Sequence, residues 1–149
     1  MSTDQENALA LEIARAMLSR EGTGPAWGVE IEAAGPGFCR LAMVLRPDML
    51  NGHGNAHGGM IFALADTAFA YACNSRNQTS VAQQASIAFV NSGRAGERLV
   101  AEAREVASKG RSGVYAITIF GEDGRVIAQM QALSRTVGSP VIEISEENE

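Results

Sequence analysis

Residues 59–74 read Gly-Met-Ile-Phe-Ala-Leu-Ala-Asp-Thr-Ala-Phe-Ala-Tyr-Ala-Cys-Asn. Apolar side chains fall on nearly every face of a helix drawn through them, and a helix without a polar face has to be surrounded. The alanines at 63, 65, 68, 70 and 72 let neighbouring elements approach it closely. The run is broken by Asp66 and is too short to span a bilayer, so its cover has to be protein.

That cover is legible on both sides. Upstream, Cys39, Leu41, Met43 and Leu45 alternate with polar positions such as Arg40 and Arg46, the period of a half-buried strand. A shorter strand is expected from Trp27 to Glu32, punctuated by Gly35-Pro36-Gly37. Downstream, four more strands are expected near residues 81–90, 99–106, 113–120 and 126–137. Their connections are short and rich in turn residues: Gly93 and Gly96, then Lys109-Gly110, then Gly121-Glu122-Asp123-Gly124. Short connections between consecutive strands imply antiparallel pairing, because a parallel crossover needs a dozen or more residues.

At the front, Leu9, Ile13 and Met17, flanked by Ala14 and Leu18, form the apolar stripe of a first helix. That helix opens on a Thr3–Glu6 capping box, runs to about Arg20 and is closed by Gly22-Thr23-Gly24-Pro25. The fold class is α+β: an antiparallel sheet wrapped around a long central helix, with an extra N-terminal helix. No repeat or linker divides residues 1–149, so they form a single domain with flexible ends at 1–4 and 139–149.

Composition narrows the function classes. With 46% hydrophobic and 19% charged residues, the chain can build a core and is not of disordered type. Twelve Lys and Arg against seventeen Asp and Glu leave a net charge of −5, so no basic stripe exists to neutralise nucleic acid. Two cysteines, Cys39 and Cys73, are too few for a disulfide scaffold and read as reduced, half-buried thiols. The acidic, polar N-terminus is no signal peptide, and a cytoplasmic protein outside the membrane is expected.

Two features around the helix invite chemistry. Asn51-Gly52-His53-Gly54-Asn55-Ala56-His57-Gly58-Gly59 leads straight into it. Glycines let the backbone approach a ligand, and the free N–H groups of a helix N-terminus suit an anion or oxyanion. A routine glycine-rich chain turn accounts for the same residues equally well. The second feature is Asp66, a lone carboxylate amid Ala, Leu and Phe. Such a group is costly to bury unpaired and tends to persist for catalysis or binding. A carboxylate on the helix's one wet face, bonded to Thr67 or a partner strand, is the plainer alternative. His53 and His57 have the spacing of zinc ligands on a helix, but the glycines argue against a helix there and no third ligand is suitably spaced. No metal is expected.

Gly58 and Asp66 are eight residues apart, about 12 Å of rise along one helix. An oxyanion donor and a general base both have to reach one carbonyl or its attacking water. One helix cannot supply both. Two such helices, antiparallel about a two-fold axis, can, so joint action of the two groups requires an isologous homodimer with two equivalent intersubunit sites.

The run Leu50-Asn-Gly-His-Gly-Asn-Ala-His-Gly-Gly59, followed by Leu64-Ala-Asp-Thr-Ala-Phe-Ala-Tyr-Ala-Cys-Asn-Ser75, resembles the hotdog-fold acyl-CoA thioesterases of the phenylacetic acid degradation (PaaI) type. The resemblance covers roughly residues 5–137, including Ile87-Ala88-Phe89-Val90 and the Gly96-Glu97 turn. It implies a sheet wrapped around the central helix, homodimers paired into a dimer of dimers, and hydrolysis of aromatic acyl-CoA thioesters such as phenylacetyl-CoA or hydroxyphenylacetyl-CoA. Coenzyme A enters as part of the substrate, and no cofactor is implied. By the same resemblance, Asp66 is the catalytic carboxylate, as general base or nucleophile. Gly58 is the oxyanion donor, Asn51 positions water or the thioester, and His57 borders the thioester carbonyl. Gly59, Arg94, and the turn Ser108, Lys109, Gly110 and Arg111 are the candidates for CoA contacts; arginine forks suit phosphates, and a solvated turn with Lys and Arg for solubility accounts for each basic residue at least as well. Where family members often carry Arg-Pro after the third strand, this chain has Asn91-Ser92-Gly93. Gln84 and Ser86 share one face of that strand, opposite Gln83. A non-catalytic acyl-CoA binding or regulatory protein and a hotdog enoyl-CoA hydratase are the rival readings. The hydratase needs an Asp/His pair placed for proton transfer at carbon, which Asp66 and His57 suit poorly.

Overall fold

A computed structural model describes residues 1–144. Its elements, in chain order, are α1 (Thr3–Arg20), α2 (Thr23–Ala26), β1 (Glu30–Gly35), β2 (Phe38–Val44), a 3-10 turn (Pro47–Met49), α3 (Gly58–Cys73), β3 (Ser80–Phe89), β4 (Arg98–Lys109), β5 (Ser112–Phe120) and β6 (Val126–Thr136). The six strands form one antiparallel sheet in the order β1-β2-β4-β5-β6-β3. The sheet curls around α3. Leu64, Ala65, Ala68, Phe69, Tyr71 and Ala72 of the helix pack into a core shared with Leu41, Met43, Leu99, Ala101, Ile117, Ile119 and Met130 from the strands. Ala65, Ala68 and Ala72 are fully buried, so the small residues do bring sheet and helix together. Phe69 sits edge-on against Tyr115 with ring centroids 5.4 Å apart.

Several local expectations shift. The capping box lies one residue earlier: Ser2 Oγ accepts from Gln5 N–H at 3.2 Å, and Gln5 Oε1 accepts from Ser2 N–H at 2.8 Å. Thr3 and Asp4 therefore belong to the first helical turn rather than to a flexible end. At the other end, Asn77 Oδ1 accepts from the N–H groups of Val141 and Ile142 at 2.9 Å each, which holds residues expected to be free. Residues 145–149 of that expected tail lie outside the described residues. Gly22 to Pro25 does not simply stop α1, since Thr23–Ala26 forms a single further helical turn. The first strand begins later than expected, at Glu30, and runs on to Gly35.

One correction concerns topology. β3 pairs with β6 and not with its successor β4, although the connection between them is short. In the order β4-β5-β6-β3 the two strands run in opposite directions, so the end of β3 and the start of β4 lie at the same end of the sheet. Residues 90–97 need cross only about 14 Å, three strand spacings. They are held on the way by Val90 N–H on Ile127 O (2.8 Å), Ala56 N–H on Gly93 O (2.9 Å) and Leu45 N–H on Glu97 O (2.9 Å). β3 is thereby left as an edge strand. Its Ala85 and Ile87 turn toward the core, which puts Gln84 and Ser86 on the outer face, and a bulge interrupts the register between Ala82 and Gln84.

Candidate active site

The loop before α3 is shaped by its own polar groups. Asn51 N–H donates to Asn55 O at 2.7 Å, and Asn51 Oδ1 accepts from the N–H groups of His53 (2.9 Å) and Asn55 (3.1 Å). Gly54 takes φ +79°, which side-chain-bearing residues rarely adopt. His57 N–H on Met49 O (2.9 Å) and Ala56 N–H on Gly93 O (2.9 Å) seat the loop on its neighbours. His57 is the N-cap of α3: its Nδ1 accepts from Gly59 N–H at 2.9 Å, which leaves the ring proton on Nε2. Its carbonyl accepts from the N–H groups of Met60 (2.9 Å) and Ile61 (3.2 Å). Of the first amides of this helix, only that of Gly58 has no hydrogen-bond acceptor among the described residues. One free donor at a positive helix end is what an oxyanion needs.

Asp66 lies two turns further along. The face of α3 that its own sheet does not cover runs through Gly59, Phe62, Ala63, Asp66 and Ala70, at helical spacing. Thr67 Oγ1 donates to Ala63 O at 2.7 Å and is not Asp66's partner. The Asp66 carboxylate has no hydrogen-bond partner among the described residues. Burial first, and the negative charge of Glu21 second, lift it above the usual aspartate range. It opens on a cavity of about 590 Å³, lined also by Glu21, Thr23, Tyr71, Asn74, Thr79 and Val141.

The other expected residues divide between the two ends of α3. Asn51, His57, Gly58 and Gly59 belong to the loop and first turn at its N-terminal end, where Arg94 joins that loop through the bridge between Asn55 and Arg94. Arg94 lines a separate cleft of about 300 Å³ with Glu97, Glu122 and Arg125. Ser108, Gly110 and Arg111 line a polar cleft of about 310 Å³ beside Cys73 and Arg76, at the C-terminal end of the helix; Lys109 pairs with Ser112 at the hairpin end but does not line it. One chain does not gather the CoA candidates, because a 16-residue helix separates them by about 24 Å.

Two contributors, Glu21 and Glu97, went unread in the sequence. Glu21 and Tyr71 share Asp66's cavity, and Glu21 accepts from the Tyr71 hydroxyl. Glu97, almost fully buried, accepts from the N–H groups of Arg94 (2.9 Å) and Glu122 (3.0 Å) and pairs with Arg125 at 2.6 Å. Arg125 hydrogen bonds, with burial opposing them, hold Glu97 at a pKa of about 2. A Gly-Glu turn after a strand gave a faint signal for Glu97. Glu21 had none, since its role depends on α1 ending over α3. Among the described residues no three His, Cys, Asp or Glu side chains come together as a metal site, and no helix is long and apolar enough to cross a membrane.

Comparison with known proteins gives a consistent result. The family model of the thioesterase superfamily matches residues 53–128. The acyl-coenzyme A thioesterase PaaI of Escherichia coli K12 is 37% identical over 132 residues, covering 89% of this chain and 94% of the relative. The structure of the E. coli PaaI protein from the phenylacetic acid degradation operon superposes with a TM-score of 0.88 at 36% identity, covering 93% of this chain and 99% of that one. A mutant of the phenylacetic acid degradation protein PaaI from Thermus thermophilus gives a TM-score of 0.73 at 33% identity, with 76% and 97% covered. A hypothetical thioesterase from Streptococcus pneumoniae TIGR4, solved with coenzyme A, gives 0.72 at 25% identity, with 75% and 90% covered. The sheet curled around α3, with its added N-terminal helix, is the hotdog fold of these neighbours.

Proposed function

Because the chain belongs to the thioesterase superfamily and is a thioester hydrolase, we propose that it hydrolyses aromatic acyl-CoA thioesters, such as phenylacetyl-CoA or hydroxyphenylacetyl-CoA, to the free acid and CoA. Phenylacetate catabolism is the setting that its relatives' names suggest, and the cytoplasm is the compartment we assign to it. The observation that carries the reading is Asp66, a half-buried carboxylate that has no hydrogen-bond partner among the described residues and opens on a ligand-sized cavity.

In this reading the thioester carbonyl accepts a hydrogen bond from Gly58 N–H, which strengthens as the oxygen gains charge. Asp66 takes the proton of the attacking water, or attacks the carbonyl itself to give a mixed anhydride that water then opens. The C–S bond breaks and CoA leaves as a stable thiolate, so little acid assistance is needed. Asn51 spends its carbonyl oxygen on the loop and offers its side-chain N–H groups to water or substrate. His57 borders the carbonyl with Nδ1 occupied, and Gly59, its own amide engaged by His57, lets the ligand pass close to the backbone.

The site is completed by a second copy of the chain. Two surfaces support this: the uncovered apolar stripe of α3, and the edge strand β3, with Val81 and Phe89 in it and Val90 just after it exposed by 48%, 54% and 58%. Pairing β3 edges about a two-fold axis sets the two α3 helices antiparallel, Gly58 of one facing Asp66 of the other. It also brings the Ser108–Arg111 cleft of one chain toward Arg94 of the other, so the CoA candidates separated within a chain converge across the pair. Two such dimers associate as a dimer of dimers. Free-thiol release from a panel of aromatic and aliphatic acyl-CoAs, measured for wild type and Asp66→Asn, tests the proposal. Aromatic esters should be preferred and the variant silent; equal rates for the two proteins would end it.

A further inference from the structure

Asp66 is not the only acid facing the 590 Å³ cavity. Glu21, the residue that ends α1, forms part of the same wall and is held in place from three directions. The Tyr71 hydroxyl donates to its Oε1, while Thr23 Oγ1 (2.9 Å) and Gly24 N–H (3.2 Å) donate to its Oε2. Tyr71 is itself locked in the core, so the anchor is rigid. The far wall is the C-terminal segment at Pro140 and Val141, tied to Asn77 and to Arg20, whose Nη1 donates to Val141 O at 2.9 Å. Among the described residues, the charged and titratable groups around Asp66 are therefore Arg20 and Glu21 at the end of α1, and Tyr71 and Cys73 on α3 itself; the start of β3 with Thr79 before it, and the described part of the C-terminal segment, contribute only Thr79, Ser80, Pro140 and Val141. Glu21's charge is felt at Asp66, which it helps to lift above the ordinary aspartate range. Among the described residues Arg20 is the single cation there, exposed at the rim and engaged with a carbonyl, against two carboxylates.

We infer that this cavity is the acyl subsite and that Glu21 is its charge-selecting wall: the subsite takes uncharged acyl groups and turns away acyl groups that end in a carboxylate. The inference rests on the thioesterase reading above and adds to it a residue that discriminates between substrates. A third negative charge placed between Glu21 and Asp66 would be desolvated beside two others, and juxtaposed like charges are a strong means of exclusion.

The test compares phenylacetyl-CoA with its 4-carboxy derivative as substrates of wild type, Glu21→Gln and Glu21→Asp. Wild type and Glu21→Asp should favour the neutral ester strongly. In Glu21→Gln the ratio of the two kcat/KM values should fall by about tenfold or more. Equilibrium binding of the matching thioether analogues, which cannot be hydrolysed, gives the same comparison without turnover. Loss of discrimination in their Kd values on Glu21→Gln supports the inference even if hydrolysis follows another course. Tyr71→Phe, which unpins Glu21 but keeps its charge, should lose part of the discrimination and guards against a misfolded Glu21→Gln. An unchanged ratio in Glu21→Gln, or no binding of the neutral analogue by wild type, would overturn it.

Discussion

At the scale of single residues, the role proposed for Asp66 trades stability for reactivity. The folded protein holds the Asp66 proton more tightly than the unfolded chain does, because burial and Glu21 both penalise the ionised form. Stability from this residue is therefore present at low pH. It declines as pH rises past the ordinary value of 3.8 toward the raised folded value, and stays lower above that. Asp66→Asn should melt at a higher temperature than wild type at pH 7 while losing about 100- to 10,000-fold in kcat. For wild type, the acid limb of kcat/KM should lie above 3.8, and a limb at or below that value would remove the electrostatic basis of the site. In the proposed mechanism Gly58 acts through its amide, which substitution cannot delete, so bulk is the probe. A Cβ there would lie 3.3 Å from Phe89 Cζ, and Gly58→Val adds two further methyl groups at the same place. Its kcat should fall by about 100-fold, the scale of a lost oxyanion donor, with the far-ultraviolet circular dichroism unchanged.

Among the elements, the segment joining β3 to β4 positions the loop before α3, and Glu97 is its anchor. Glu97 ties that segment to the β5–β6 turn through Arg94, Glu122 and Arg125, and Gly93 in turn accepts from Ala56 beside the helix entry. With a pKa of about 2, Glu97 stabilises the fold above the ordinary glutamate value of 4.5, and the contribution is lost as pH falls toward 2. Glu97→Gln should cost about 3 kcal/mol in urea unfolding at pH 7 and much less at pH 3. Equal losses at both pH values would assign the effect to packing instead. The pattern of apolar residues made α1, α3 and most of the strands readable, because period and turn chemistry are local. The order of strands was not readable: β3 pairs with β6, and a short connection permits that as readily as pairing with β4. Gly58 and Asp66 could be picked out because a glycine run meets a helix and a lone acid sits in an apolar one. Glu21 and Glu97 could not, since each gains its role from a chain segment distant in sequence.

For the whole molecule, a single chain is an incomplete enzyme on this account, with its amide donor and its acid about 12 Å apart along one helix. Each copy therefore contributes half of two sites, and the two halves can be disabled separately. Unfolding and refolding a mixture of Asp66→Asn and Gly58→Val chains should yield hybrid dimers in which one site carries both defects and the other carries neither. The direct measurement is thiol release by that mixture, with hybrid formation verified by native mass spectrometry. Random pairing predicts a rise from near zero to about a quarter of wild-type activity. Activity no greater than the sum of the two parents, in a sample shown to contain hybrids, would contradict the shared site.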